Sequence, residues 1–185
     1  MDNVNLSRSC DRSFTRQVEK ASGQNLKNCY QCGNCTAGCP LNAAYDIPVS
    51  RMMRLIQLGQ KETLLKSKSI WMCASCEACT TRCPNSIDIA RVLEVCRHMA
   101  RKEDYVAEPR VKKFFDSFLL TVAKFGRSFE LGVMALYMLR TGRLTTDIDL
   151  VPKILPKNKL AFLPHMIQGR KEVEEIFKRY QERNK

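Results

Sequence analysis

Apolar residues recur three or four positions apart along most of the chain, a period that predicts α-helices and not strands. The first hundred residues contain three such segments: one through Phe14 and Val18 that ends at Ser22-Gly23, one from near Pro48 to Gly59 whose apolar side is Met52, Leu55 and Ile56, and one through Ile89, Leu93, Cys96 and Ala100. Asp46 is the expected N-cap of the second helix, and Ser86 or Asp88 that of the third. A shorter helical piece is predicted from Glu62 to Lys66.

The second half continues with longer apolar helices. One is predicted from Val111 to Phe125, stopped by Gly126, and another runs from Ser128 to about Gly142. The apolar stripe of the first is expected to be core, and consists of Val111, Phe114, Phe115, Phe118, Val122 and Phe125. Prolines interrupt any periodicity from Leu144 to Pro164, which predicts an extended arm.

The chain ends in an amphipathic helix that places Val173, Ile176, Phe177 and Tyr180 on one face. These elements predict an all-α protein in four parts. They are an N-terminal docking segment (1–24), a domain with two metal-binding loops (25–104), a helical extension (105–143), and an extended arm with the terminal helix (144–185). We expect the arm and terminal helix to contact a partner.

Two sets of four cysteines with identical spacing, here called frames, indicate the chemistry of the protein. The first consists of Cys29, Cys32, Cys35 and Cys39 followed by Pro40; the second consists of Cys73, Cys76, Cys79 and Cys83 followed by Pro84. Each cysteine of the first frame recurs 44 positions later in the second. The spacing C-x2-C-x2-C-x3-C-P is the one with which bacterial-type ferredoxins hold 4Fe-4S clusters. Helices after both loops favour the α-helical variety of ferredoxin.

The spacing also suggests how the cysteines are shared. Three thiolates on one tight loop can each reach a different iron, whereas the fourth iron needs a ligand from elsewhere. In two-cluster ferredoxins that ligand comes from the other frame. We therefore expect a first site and a second site, formed respectively by Cys29, Cys32, Cys35 and Cys83, and by Cys73, Cys76, Cys79 and Cys39.

Two other roles of cysteine, zinc binding and disulfide formation, agree less well with the sequence. Structural zinc sites generally use two C-x-x-C pairs separated by a longer loop, not three cysteines in one loop with a fourth before proline. A disulfide framework is disfavoured because Met1 to Ser9 is polar and lacks the apolar region of a secretory signal. Ten cysteines without an export signal instead indicate a reducing, cytoplasmic compartment.

The distribution of charge argues against a nucleic-acid-binding protein, and the hydropathy argues against a membrane-spanning one. The formal net charge is +12, but the basic residues are scattered and do not alternate with aromatic ones as in a nucleic-acid-binding surface. An acidic protein partner accounts for the charge equally well. The longest apolar run, Leu131 to Leu139, has nine residues, whereas a membrane-spanning helix needs about 20.

The remaining reactive residues do not look like ligands. Cys96 falls on the apolar face of its predicted helix and is expected to be a buried thiol, and Cys10 a free one. His98 and His165 lack acidic or cysteine neighbours at ligand spacing. Trp71 is expected to shield a cluster from water. Since no nucleotide-binding glycine motif is present, any flavin must be bound by another chain.

The chain resembles the C subunit of heterodisulfide reductase from methanogenic archaea. The resemblance rests on the run from Cys29-Tyr-Gln-Cys-Gly-Asn-Cys to Pro40, on Trp71-Met-Cys, and on the helices that join them. It implies an α-helical ferredoxin that carries two 4Fe-4S clusters and no catalytic residue of its own. In this family a flavin-containing A subunit splits electron pairs, and a B subunit reduces the disulfide of coenzymes M and B at non-cubane clusters during methanogenesis.

The resemblance also implies a hydrogenase or formate dehydrogenase module in the larger complex. The non-cubane sites of the B subunit need adjacent Cys-Cys pairs, which this chain lacks. The main alternative is the iron-sulfur subunit of a membrane-linked succinate, fumarate or glycerol-3-phosphate dehydrogenase, although the succinate type adds a C-x4-C-x2-C region that is absent here. A basic, zinc-dependent interaction protein is a third possibility.

Overall fold

The computed structural model describes residues 10–143, 152 and 163–183. The chain divides into two compact units, with the boundary between Glu108 and Pro109. All regular elements in the described residues are helices, so the prediction of an all-α fold is confirmed. None of the described helices is long and apolar enough to cross a membrane.

The first unit contains seven α-helices among its described residues. They are α1 (Arg12–Ser22), α2 (Asn34–Ala37), α3 (Val49–Gln57), α4 (Lys61–Leu65), α5 (Ser69–Met72), α6 (Ala78–Thr81) and α7 (Ile89–Lys102). Two 3-10 helices, Leu26–Asn28 and Asn42–Ala44, lie among them. The elements of the two cysteine frames correspond, because α2 and α6 occupy the same positions relative to their cysteines.

Helix α1 forms part of the core beside α3 and α7. The Asp11 carboxylate caps its start by accepting hydrogen bonds from Ser13 N at 2.8 Å and Phe14 N at 3.3 Å. Gly23 ends it in the left-handed conformation, as the Ser22-Gly23 pair predicts. Phe14 and Val18 are fully buried. The docking role of segment 1–24 stays a prediction, and residues 1–9 lie outside the described residues.

Helices α3 and α7 provide the rest of the core. The predicted apolar positions Ile89, Leu93, Cys96 and Ala100 of α7 are all buried, together with Met52 and Ile56 of α3. Asp88 caps α7 by accepting a hydrogen bond from Arg91 N at 2.9 Å, as one of the two predicted caps. Helix α3 therefore follows the first cysteine frame and α7 the second, and each packs against the frame that precedes it.

The predicted cap of α3 is wrong. Asp46 does not bond the first turn of α3; its carboxylate instead accepts hydrogen bonds from Lys68 N and Ser69 N at the start of α5, each at 3.0 Å. A first-turn donor of α3, Ser50 N, is satisfied by Thr36 Oγ1 at 2.8 Å. Because Thr36 reaches this position only in the folded chain, local spacing could not identify it.

The second unit consists of α8 (Pro109–Phe125), α9 (Glu130–Thr141) and α10 (Arg170–Arg183) among its described residues. Helix α8 contacts both α9 and α10. Gly126 and Gly142 follow α8 and α9 as predicted, although α9 begins two residues after Ser128. Helix α10 confirms the predicted terminal helix, whereas most of the predicted arm from Leu144 to Pro164 lies outside the described residues.

The apolar stripe of α8 is only partly buried, which corrects the prediction that it is core. The buried residues of α8 are Ser117 and Thr121, whereas Phe114 and Phe118 are 46% and 38% exposed. Helix α9 contacts α8 through both polar and aromatic groups. Arg140 Nη1 donates to Ser117 Oγ at 3.1 Å, Lys113 Nζ donates to the Arg140 carbonyl at 2.8 Å, and Tyr137 packs edge-on against Phe114. The second unit therefore presents aromatic surface outward.

Candidate functional site

Each cysteine loop is bent by two residues with positive φ. These are Gln31 (φ 64°) and Gly33 (φ 84°) in the first frame, and Ser75 (φ 51°) and Glu77 (φ 60°) in the second. Three of the four are not glycine, so their backbones adopt a conformation that side chains disfavour. The two pairs occupy equivalent positions of the repeat. The same strained turn thus places the first three cysteines in both frames.

The third cysteine of each frame lies on a short helix that is bonded to the following long helix. Cys35 lies on α2 and Cys79 on α6, and both are buried. Thr36 Oγ1 accepts from Ser50 N of α3, and its counterpart Thr80 Oγ1 accepts from Ala90 N of α7 at 3.2 Å. The long helices therefore hold the cysteine-bearing helices in equivalent positions.

A cavity brings together cysteines from both frames. The cysteines that line it are Cys73, Cys76 and Cys79 of the second frame and Cys39 of the first. Val49 of α3 and Leu93 of α7 contribute apolar wall, and Tyr45 contributes a hydroxyl group. These four thiols are the set predicted for the second site, and Cys83 is not among the lining residues. Their chemistry fits an iron-sulfur cluster, because four thiolates around an apolar cavity are its usual ligand set.

The segments that adjoin the cysteines of the predicted first site are linked by hydrogen bonds between side chains and backbone. The Asn85 side-chain amide, two residues after Cys83, donates to the Asn28 carbonyl, one residue before Cys29. In addition, Asp88 N donates to Gln24 Oε1 at 2.9 Å. The segment that follows the second frame is therefore bonded to the segment that precedes the first.

One tyrosine accompanies each set of cysteines. Burial, followed by the neighbouring Cys73 and Cys39 thiols, raises the pKa of Tyr45 far above its usual value. Partial desolvation, followed by Cys32 and then Cys83, raises the pKa of Tyr30. Both hydroxyl groups remain protonated donors, and each faces one thiol from each frame. Tyr30 is 63% exposed, whereas Tyr45 is partly buried against the core.

The Cys35 and Cys79 thiols are protonated at neutral pH when no metal is bound. Burial raises the pKa of Cys35 and raises that of Cys79 to about 11. Since thiolates and not thiols bind iron, formation of a cluster there releases protons. Cys96, outside the frames, is fully buried and its pKa is raised to about 12 by burial alone, which supports the interpretation as a core residue.

The other candidate residues lie outside this arrangement. Cys10 is exposed and its thiol donates to the Leu58 carbonyl at 2.9 Å. His98 lies 3.9 Å from the Glu94 carboxylate on the surface of α7. Trp71 is buried and its indole N–H donates to the Tyr105 carbonyl at 3.3 Å. A shielding role for Trp71 stays a prediction.

Sequence reasoning missed the residues that support the cysteines, namely Tyr30, Tyr45, Thr36 and Thr80. The two threonines carry a detectable signal, because they recur 44 positions apart like the cysteines themselves. The tyrosines carry none, since one lies inside its frame and the other beyond it.

The comparison with protein families decides what kind of domain this is. Residues 28–88, which contain both cysteine frames, match the 4Fe-4S dicluster domain family. The C subunit of the H2:CoB-CoM heterodisulfide,ferredoxin reductase of Methanothermobacter thermautotrophicus is 30% identical over 106 residues, which cover 57% of each chain. The iron-sulfur C subunit of the CoB-CoM heterodisulfide reductase of Methanopyrus kandleri is 36% identical over 83 residues, or 45% of this chain and 43% of its own. Over these residues the chain is similar to the C subunits of heterodisulfide reductases.

The chain matches these relatives over only part of their length. The C subunit of the Ferredoxin:CoB-CoM heterodisulfide reductase of Methanosarcina mazei, for example, is 30% identical over 90 residues, which cover 49% of this chain and 55% of the relative. The chain spans about half the length of the curated relatives it matches. The match of residues 28–88 to the dicluster family supports the predicted iron-sulfur domain.

Proposed function

We propose that this chain transfers electrons through two 4Fe-4S clusters whose ligands are exchanged between the frames. The first site comprises Cys29, Cys32, Cys35 and Cys83, and the second comprises Cys73, Cys76, Cys79 and Cys39. The observation that carries the proposal is the cavity lined by Cys39 together with three cysteines of the other frame. If each loop bound its own cluster independently, Cys39 would not be expected beside the three cysteines of the second frame.

The contacts around the first site support the same exchange. Cys83 is held near Cys29 because Asn85 donates to the Asn28 carbonyl. Tyr30 adjoins Cys32, and Cys83 is close enough to raise its pKa. A 4Fe-4S cluster accepts and releases one electron without bond breakage. The protein supplies thiolates, hydroxyl donors and apolar walls that exclude water.

We further propose that the electrons pass from a flavin-containing A subunit to the catalytic B subunit of a CoB-CoM heterodisulfide reductase, in a complex with a hydrogenase or formate dehydrogenase module. The support is that the relatives are named as C subunits of such reductases. The proposal also requires a reducing compartment such as the cytoplasm, because the thiols must stay available to iron.

The first test concerns cluster content. The full chain purified without oxygen is expected to contain about eight iron atoms and as many sulfides, with two reducible clusters. Metal analysis combined with visible and low-temperature electron paramagnetic resonance spectra measures this directly. About four iron atoms per chain, or stoichiometric zinc, contradicts the proposal.

A second test concerns the partner. Ile176 and Tyr180 on α10 are 56% and 54% exposed, which suits an apolar docking face. A chain that ends at Thr141 is expected to keep its iron content but to lose most of its capture of the two proposed partner proteins in an anaerobic pull-down. Ile176→Glu should weaken capture about tenfold or more, since a buried, unpaired charge is costly.

The matched control for this test is Lys171→Glu, at an exposed polar position of the same helix. It should leave capture within about twofold of the original, because surface charges contribute little. Unchanged capture by both the shortened chain and Ile176→Glu contradicts the docking role. Loss of iron from the shortened chain shows instead that the tail supports the cluster domain.

A further inference from the structure

The first cysteine of each frame is held by a side chain from the following long helix. At the first site, Gln57 Nε2 of α3 donates to the carbonyl groups of Leu26 and Cys29, at 2.8 and 2.9 Å. At the second site, Arg97 of α7 does the same, with Nε 2.8 Å from the Ile70 carbonyl and Nη2 2.7 Å from the Cys73 carbonyl. Ile70 and Cys73 are the repeat counterparts of Leu26 and Cys29.

The two halves therefore use one supporting arrangement with two different residues. The Gln57 side chain is a neutral amide, whereas the Arg97 guanidinium carries a positive charge. Arg97 is partly buried and is bonded directly to the backbone of a predicted ligand, the buried Cys73. Its charge therefore acts at short range through a poorly solvated region, where it is screened less than a surface charge.

Other charges near the two sites lie at exposed positions or in an ion pair. Glu77 lies in the second loop where the first has Gly33, but its side chain is exposed to solvent. On α3, the exposed Arg54 donates to Gln57 Oε1 at 3.2 Å. This is the oxygen of the Gln57 amide and not the nitrogen that contacts the first frame. On α7, Glu94 pairs with Arg91 at 2.9 Å. Solvent weakens each of these contributions relative to that of Arg97.

We propose that Arg97 raises the reduction potential of the second site above that of the first, so that the second site is reduced first. The inference rests on the proposed function. One electron, from a reduced flavin in the proposed complex or from dithionite in the test, makes the cluster and its thiolates more negative by one charge and breaks no bond. A nearby fixed cation stabilises that added charge.

The test uses the full chain with both clusters, titrated potentiometrically and followed by electron paramagnetic resonance. Signals are assigned with Cys32→Ser for the first site and Cys76→Ser for the second. Arg97→Gln, which gives the second site the residue of the first, is expected to weaken reduction of the second site about tenfold or more. For a one-electron couple, tenfold corresponds to about 59 mV. The potential of the first site should not change.

Arg97→Lys is the matched control, because it keeps the charge while losing the two-pronged geometry of the guanidinium. It should retain most of the potential of the second site. Equal potentials for the original protein and Arg97→Gln, with both clusters present, overturn the proposal. The same is true if Arg97→Lys lowers the potential as much as Arg97→Gln does.

A second measurement applies even if Arg97→Gln fails to assemble its second cluster. In the unaltered protein, the assigned titration must show the second site reduced at the higher potential; the reverse order overturns the inference. A failure of the proposed function looks different, since it appears as a missing cluster or as zinc in the unaltered chain. Two clusters in the wrong order of potential leave that function intact.

Discussion

Cys83→Ser is expected to alter the same cluster as Cys32→Ser, although these residues belong to different frames. Cys39→Ser should in turn alter the cluster affected by Cys76→Ser, because both residues line one cavity. Each substitution removes a thiolate ligand, so we expect a shifted spectrum where serine binds iron weakly, or loss of about four iron atoms where it does not.

Electron paramagnetic resonance of the four reduced variants sorts them into two pairs. Iron analysis of each variant gives an independent count. Cys96→Ser is the control, since that buried thiol lies outside both frames and its loss should leave both clusters in place. If Cys83→Ser changes the cluster that Cys76→Ser changes, each frame holds its own cluster and the exchanged arrangement is wrong.

Gly59→Ala is expected to destabilise the first unit far more than Gly23→Ala. Both glycines have positive φ, at 66° and 71°. A methyl group at Gly23 meets nothing within 4 Å, whereas at Gly59 it comes within 2.5 Å of the Asp11 carbonyl oxygen and 2.8 Å of Asp11 N. The backbone there cannot yield easily, because Asp11 N donates to the Gly59 carbonyl at 2.8 Å and Asp11 caps α1.

Backbone strain alone accounts for about 1–2 kcal/mol in Gly23→Ala. The added clash brings Gly59→Ala to about 3 kcal/mol or more. For a chain of this size the apparent melting temperature should fall by about 3–6 °C for Gly23→Ala and by roughly 10 °C for Gly59→Ala. Circular dichroism without oxygen, at one heating rate, measures both. Equal losses contradict the close approach of Asp11 to Gly59.

Most helices could be predicted from the sequence because their signals are local. The Ser22-Gly23 end of α1, the Asp88 cap of α7 and its buried positions all depend on residues within one or two turns. The cap of α3 could not be predicted in this way, since Thr36 supplies it from the preceding frame. The same limit explains the stripe of α8, because its burial depends on how fully the neighbouring helices cover it. In the second unit, Phe114 packs edge-on against Tyr137 of α9 and is still 46% exposed.

The features of the candidate site likewise divide into those that the sequence predicted and those that it did not. Cysteine spacing determined the chemistry by itself, because three cysteines in one loop and a fourth before proline form the frame with which two-cluster ferredoxins hold their cubanes. The tertiary structure decided which side chains surround those thiolates. Tyr45 and Arg97 are both distant from Cys73 in the sequence. They come close to it only when the long helices pack.

The sequence alone therefore determined the helical class and the iron-binding chemistry of this protein, since both follow from short-range spacing. Only the tertiary structure decided that Gln57 and Arg97 take equivalent places at the two frames. The physical reason is that the electrostatic environment of a cluster depends on distances through space, which residues 24 or more positions apart set by packing and not by their order in the chain.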